Sequence, residues 1–341
     1  MSLGPLMVDV AGTQLTAADR QVLAHPLVSS VILFTRNFRD VDQLRQLVAE
    51  IKSLRHPALL IGVDHEGGRV QRFRSGFSVL PAMRRVGQAY AAAPADGVQM
   101  AWQLGWLMAA ELREVGIDFS FAPCVDLDYG VSQVIGDRAF HRDPQVVGRL
   151  ALATLQGMQA AGMAATAKHF PGHGAVVADS HLDLPVDPRS LAQLAEDIAP
   201  YRHLVGQGLA AVMMAHVLFP AVDSVPASFS RRWVQQVLRA ELGFDGVVFA
   251  DDLSMQGAGA MGDVLARVAA ALAAGCDVLP ICNDRAAVER VLQGWQPLVP
   301  AASAARLETL RGKPAVLPVP LAGSTAQVTA LQWLARSAQP A

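Results

Sequence analysis

Two clusters of ionisable residues in this 341-residue chain have the types and spacing that catalysis needs. The first is Lys168-His169-Phe170-Pro171-Gly172-His173-Gly174, followed by Asp179-Ser180-His181. Glycine and proline punctuate it, as expected of a loop that moves while the strand feeding it stays fixed. A carboxylate two residues from an imidazole can bond one ring nitrogen and so set the tautomer and direction of the other. With an unperturbed pKa near ~6.5, His181 can then shuttle protons at neutral pH, with Asp179 as its orienting partner.

The second cluster is Asp251-Asp252, delivered by the apolar run Val247-Val248-Phe249-Ala250. A carboxylate at the end of a buried strand can attack the anomeric carbon of a sugar and hold it as a glycosyl ester. Side chains alternate along a strand, so only one of the two can face the same way squarely; the spacing alone leaves the choice open. Two further candidates are Asp64, in Val63 through Arg72, and Arg138, in Gly136 through Phe140. Asp64 ends an apolar run, where a lone charge is costly, so it needs a ligand or a basic partner such as Arg69 or Arg72. His169, His173 and His181 with an aspartate have the make-up of a zinc set, but the Lys168 ammonium beside them opposes a divalent cation. No metal is therefore expected.

These residues need elements to hold them. Eight short apolar runs, Leu6–Val10, Val31–Thr35, Leu59–Asp64, Asp118–Ala122, Ala164–His169, Ala211–His216, Val247–Asp251 and Asp277–Cys282, alternate with helical patterns. The patterns cover Val41–Leu54, Val98–Val115, Pro144–Ala161, Leu191–Gly206, Arg231–Leu242 and Asp263–Ala274, and Thr16 with Asp19 forms a capping box for one more. Such alternation implies a parallel sheet. Polar residues gather where the runs end, among them Asp9, Arg36-Asn37, Asp64-His65-Glu66, Asp126, Lys168-His169, His216 and Asn283. Chemistry at the carboxyl ends is the habit of a closed barrel, and no GxGxxG follows the first run to suggest a dinucleotide-binding open sheet. The expected fold is α/β, a single (β/α)8 TIM barrel over residues 1–312, with a C-terminal extension, 313–341. In that extension a Pro-rich Lys313–Pro320 precedes a terminal helix over Thr325–Arg336.

Composition narrows the function. The chain is 52% hydrophobic and 17% charged with a formal net charge of −2, and no block of five basic residues occurs, so nucleic acid is not an expected partner. Its most apolar stretch, Val264–Cys282, is broken by Arg267 and Asp277, so no membrane span is expected either. Met1–Val10 lacks the pattern of a signal peptide, and the three scattered cysteines Cys124, Cys276 and Cys282 suit a reducing compartment; both point to the cytoplasm.

From Gly4 to Asn283 the chain resembles the β-N-acetylglucosaminidases of glycoside hydrolase family three, the bacterial kind that works in cell-wall recycling. The resemblance rests on Ile32 through Asn37, Asp64 through Arg72, Lys168 through Gly174 with Asp179-Ser180-His181, and Gly243 through Met255. It implies a retaining hydrolase with Asp251 as nucleophile, His181 as general acid/base and Asp179 polarising that imidazole. It further implies that Asp64, Arg72, Arg138, Lys168 and His169 hold the N-acetylglucosamine ring, with no cofactor and no obligatory protein partner. The implied substrates are muropeptides bearing 1,6-anhydro-N-acetylmuramic acid. A neutral imidazole base repels an incoming anion less than a carboxylate does, which leaves phosphate beside water as an acceptor. Two departures stand out: His65 occupies a position where Gln is common, and the stretch around Arg138 varies. Both are expected near the mouth, where they bear on the leaving group.

Overall fold

The structure, a computed structural model, describes residues 3–178, 180, 183–314 and 322–338. All eight expected strands are present within the expected runs or a few residues of them. They are β1 (Leu6–Val8), β2 (Val28–Leu33), β3 (Leu60–Val63), then, after a small antiparallel hairpin of β4 (His65–Gly67) and β5 (Val70–Gln71), β6 (Phe119–Ser120), β7 (Ala164–Phe170), β8 (Ala211–Met214), β9 (Val247–Phe249) and β10 (Leu279–Ile281). The eight pair in parallel in the order β10-β1-β2-β3-β6-β7-β8-β9, and a bridge between Phe249 and Val278 closes the ring. The fold is a (β/α)8 barrel.

Period-two alternation sorts every strand into an inner and an outer row. Met7, Ile32, Leu60, Phe119, Phe121, Met213, Val247 and Phe249 share one cluster inside the barrel, while their neighbours Val8, Val31, Ile61, Val212 and Val248 join the larger core under the helices. Phe119, Phe121 and Phe249 interlock edge-on or tilted, with ring centroids 5.1 to 5.6 Å apart. Gly62 belongs to the same inner row, and a Cβ there would lie 2.5 Å from the Phe119 ring; glycine is what admits the phenylalanine.

The outer helices are α1 (Ala17–Leu23), opened by the Thr16–Asp19 capping box, α2 (Val41–Ser53), α3 (Met83–Ala92), α4 (Pro94–Glu114), α5 (Pro144–Ala160), α6 (Ala195–Val205), α7 (Val264–Ala274) and α8 (Arg285–Gly294). The helical pattern over Arg231–Leu242 is realised as a π-helical segment, Arg232–Glu241, closed by Leu242 N donating to Val237 O at 3.0 Å. At the amino ends of the strands, α9 (Ala301–Glu308) and the turn after it bring Leu307 and Leu310 into the inner cluster. Two buried carboxylates fasten this plug. Asp118 accepts from Lys52 Nζ at 3.0 Å and Gly312 N at 3.1 Å, and Asp277 accepts from Arg239 at 2.7 Å and Ser303 Oγ at 2.6 Å. These carboxylates are structural and leave chemistry to the other end. The terminal helix, α10 (Thr325–Ser337), packs on α3 and α4 with Ala330 buried. Among the described residues no helix is long and apolar enough to cross a membrane.

Candidate active site

The inner rows of β3, β7 and β9 end in Asp64, Lys168 and Asp251, because each lies an even number of residues beyond an inward neighbour. All three line one cavity of about 660 Å³ at the carboxyl ends of the strands, together with Glu66, Arg72, Arg138 and His169. Its apolar lining comes from Ile32, Phe34, Phe121 and Met213. A mixed apolar and charged surface of this size suits a hexose, which presents a hydrophobic face and a ring of hydroxyls.

The charged part is a continuous network. Lys168 Nζ donates to Asp64 at 2.8 Å and lies 2.6 Å from Glu66. Arg138 grips Glu66 with two bonds of 2.8 Å, and Arg72 reaches Asp64 at 3.4 Å. Burial alone pushes the Glu66 carboxyl up, but Arg138 and Lys168 outweigh it and hold the group well below the usual range. Burial likewise opposes the charge of Asp64, yet Lys168 and Arg72 keep it lowered. Lys168 stays a cation for the reciprocal reason: desolvation is outweighed by Asp64 and Glu66. Of the two basic partners open to Asp64, the structure selects Arg72; Arg69 turns away to the carbonyls of Gln133 and Val134.

Asp126, at the end of the segment after β6, organises the next wall. It accepts from His169 Nδ1 and from the backbone N of His173, each at 2.7 Å. Burial raises its pKa, but His169 and His173 bring it down to about 2. With Cys124 these groups place three ligating atoms within 4.8 Å of one another. They already satisfy one another: Cys124 Sγ donates to Asp126 at 3.3 Å, and Arg138 lies 3.4 Å from His169 Nε2.

The two adjacent aspartates both line the cavity but differ in the bonds they make. Asp251 continues the inward row of Val247 and Phe249, and its Oδ1 accepts the backbone N of Asp252 at 2.9 Å. Asp252 instead closes the following turn, accepting from Ser254 N at 3.0 Å, Ser254 Oγ at 2.8 Å and Cys282 N at 3.0 Å. Burial pushes its pKa up to about 6, against those hydrogen bonds and helped by the Asp251 charge.

Asp64, Arg72, Arg138, Lys168, His169 and Asp251 are thus brought together, while Asp179 and His181 lie outside the described residues. One expectation needs correction. His65 does not reach the mouth: it is buried against Phe73 and Phe77, 5.8 and 5.9 Å between ring centroids, and burial lowers its pKa to about 3. It follows inward Asp64 by one residue, so the pleat turns it to the opposite face. No role was expected of Glu66, in the middle of β4, or of Asp126, beyond the end of β6, although both belong to the polar clusters; the cations and imidazoles they meet on folding give them one.

A closed parallel barrel whose carboxyl-end cavity gathers a carboxylate at its rim and a charged network suited to sugar hydroxyls defines a glycoside hydrolase. The chain belongs to glycosyl hydrolase family 3, whose N-terminal domain it matches over residues 5–308. It is similar to a beta-hexosaminidase of Thiobacillus denitrificans, 53% identical over 99% of this chain and 92% of that one. Among solved structures it is similar to NagZ from Neisseria gonorrhoeae in complex with N-trifluoroacetyl-D-glucosamine, with a TM-score of 0.94 and 44% identity over 100% of this chain and 99% of that one. A second structure of the gonococcal protein, in complex with zinc ion, matches with a TM-score of 0.93 and 43% identity over 99% of both chains.

Proposed function

We propose that the enzyme is a retaining exo-β-N-acetylglucosaminidase that removes terminal, non-reducing N-acetylglucosamine from muropeptides carrying 1,6-anhydro-N-acetylmuramic acid. The observation that carries this reading is Asp251, continuing the inward row of β9 at the cavity that Asp64, Lys168 and Arg138 line. The sugar lies on the apolar lining, and its hydroxyls and acetamido group bond to Asp64, Arg72, Arg138, Lys168 and His169. Asp251 attacks C1 as His181, polarised by Asp179, gives its proton to the leaving oxygen. The bond from C1 to the leaving oxygen breaks and a glycosyl ester to Asp251 forms. Neutral His181 then takes a proton from water, whose oxygen attacks C1 and frees the carboxylate.

The preformed ion pairs serve this chemistry by orientation. Lys168 and Arg138 are fixed before substrate arrives, so little reorganisation accompanies binding. No metal or other cofactor is needed for either step. The catalytic unit is proposed as residues 1–312 with 313–341 as an extension, and the setting as the cytoplasm, where soluble wall fragments are the partners and no nucleic acid, membrane or obligatory protein is involved.

Competition between substrates tests the proposal. With GlcNAc linked β-1,4 to 1,6-anhydro-N-acetylmuramic acid, mass spectrometry should find free GlcNAc and the anhydro sugar, at higher kcat/KM than for a chitin disaccharide. Failure to release GlcNAc from the anhydro disaccharide, with turnover of some other glycoside, contradicts it.

A further inference from the structure

We propose that Ser180 is a positioning residue whose buried hydroxyl on His173 and backbone carbonyl on Gly257 clasp the β7 loop to the loop that follows Asp251. The proposal rests on the reading above, in which Asp179 and His181, the sequence neighbours of Ser180, form the acid/base pair.

Ser180 is 2% exposed, whereas Val177, three residues earlier in the same loop, is 69% exposed and Asp183 is exposed as well. A buried polar residue within an exposed loop needs partners, and Ser180 has them on both sides. Its Oγ lies 3.2 Å from His173 Nε2, and its carbonyl accepts from Gly257 N at 2.9 Å. His173 is itself fixed, since its backbone N donates to Asp126 Oδ1 at 2.7 Å. Asp126 also holds His169, so one chain of bonds runs from the cavity wall through Asp126 and His173 to Ser180. Burial lowers the pKa of the His173 imidazole, and which partner donates in its bond to the hydroxyl depends on the tautomer.

The opposite half of the clasp is a close approach of backbone. A Cβ on Gly257 would lie 3.0 Å from the Ser180 carbonyl oxygen and 3.1 Å from His216 Cβ. His216 in turn bonds the Asp252 carbonyl at 3.0 Å through Nε2 and stacks on Phe229. Ser180 therefore ties the loop to the segment that follows Asp251 and Asp252, beside the His216 that holds the Asp252 carbonyl. A proton donor adjoining such a clasp is held in register with the nucleophile, and a misplacement of about 1 Å can cost ~10²-fold in rate.

The test compares kcat/KM for two N-acetylglucosaminides. One bears 2,4-dinitrophenolate, which leaves without protonation; the other bears an alkyl alcohol, which does not. In Ser180→Ala the alkyl substrate should slow by about 10²-fold while the dinitrophenyl substrate changes little. Gly257→Ala, which presses on the clasp from the other side, should give the same selective loss, and thermal melts report whether each variant is folded. Equal losses on both substrates, or none on either, in both variants overturn the proposal. His181→Ala separates the two ideas. If it shows the selective loss and the clasp variants do not, only the clasp fails; if it shows none, the acid/base reading fails.

Discussion

Asp251→Ala should cut kcat by on the order of 10⁴-fold or more on any substrate whose chemistry limits turnover, while the product sugar still binds. The charged network and the apolar lining stay in place in this variant, so calorimetry with N-acetylglucosamine should show affinity close to that of the wild type. Asp252→Asn is the informative contrast. Asp252 is occupied by hydrogen bonds from Ser254 and Cys282 that hold its carboxylate in the turn, so it is poorly placed to attack C1. Its replacement should lower kcat far less than loss of Asp251. Steady-state kinetics of the two variants, run side by side, read the difference; equal losses would mean that the strand register does not select the nucleophile.

The second large effect is on stability. Glu66→Ala removes the carboxylate between Arg138 and Lys168, whose side chains are 10% and 3% exposed. Removing one partner strands the buried charge of the others, a change that costs about 3–5 kcal/mol. Urea denaturation should show the midpoint fall, and KM should rise because both cations lose their fixed positions. The pH dependence has a definite sign. The folded carboxyl of Glu66 titrates well below its ordinary value of 4.5, so its stabilising contribution is complete above that value and is lost as the pH falls through the folded one. Glu66→Gln should therefore flatten the acid limb of the stability profile. An unchanged acid limb together with an unchanged midpoint would contradict the network's role.

The parts of the architecture that sequence makes legible are those governed by periodicity. All eight barrel strands follow from short apolar runs, because strands covered on both faces have no other composition available. Between Asp251 and Asp252 the spacing alone leaves the choice open, and the hydrogen bonds that tie Asp252 into the turn, like the aromatic cluster that takes up His65, exist only after folding. The hairpin of β4 and β5 was not legible: its strands are three and two residues long, and its bend depends on Gly67 and Gly68 at positive φ. Helix α3 was not among the expected helices although Met83, Val86 and Gly87 are buried along it, and the pattern of Arg232–Glu241 marks a helix without marking its π-helical register. In the site, the cavity-lining groups Asp64, Arg72, Lys168 and His169 stood out by type and place. Glu66 and Asp126 did not, because what makes them important is the set of buried cations and imidazoles they meet after folding.

A covalent bond between Asp251 and C1 of the sugar is the claim on which the account turns. A 5-fluoro N-acetylglucosaminyl donor with an activated leaving group, which keeps the C2 acetamido group, slows breakdown of that ester enough for the enzyme to be digested and its peptides mapped by mass spectrometry. One added glycosyl mass should appear on the peptide containing Asp251, with fragmentation placing it on that side chain. A label on Asp252 or on another carboxylate, or turnover with inversion and no label at all, would contradict it.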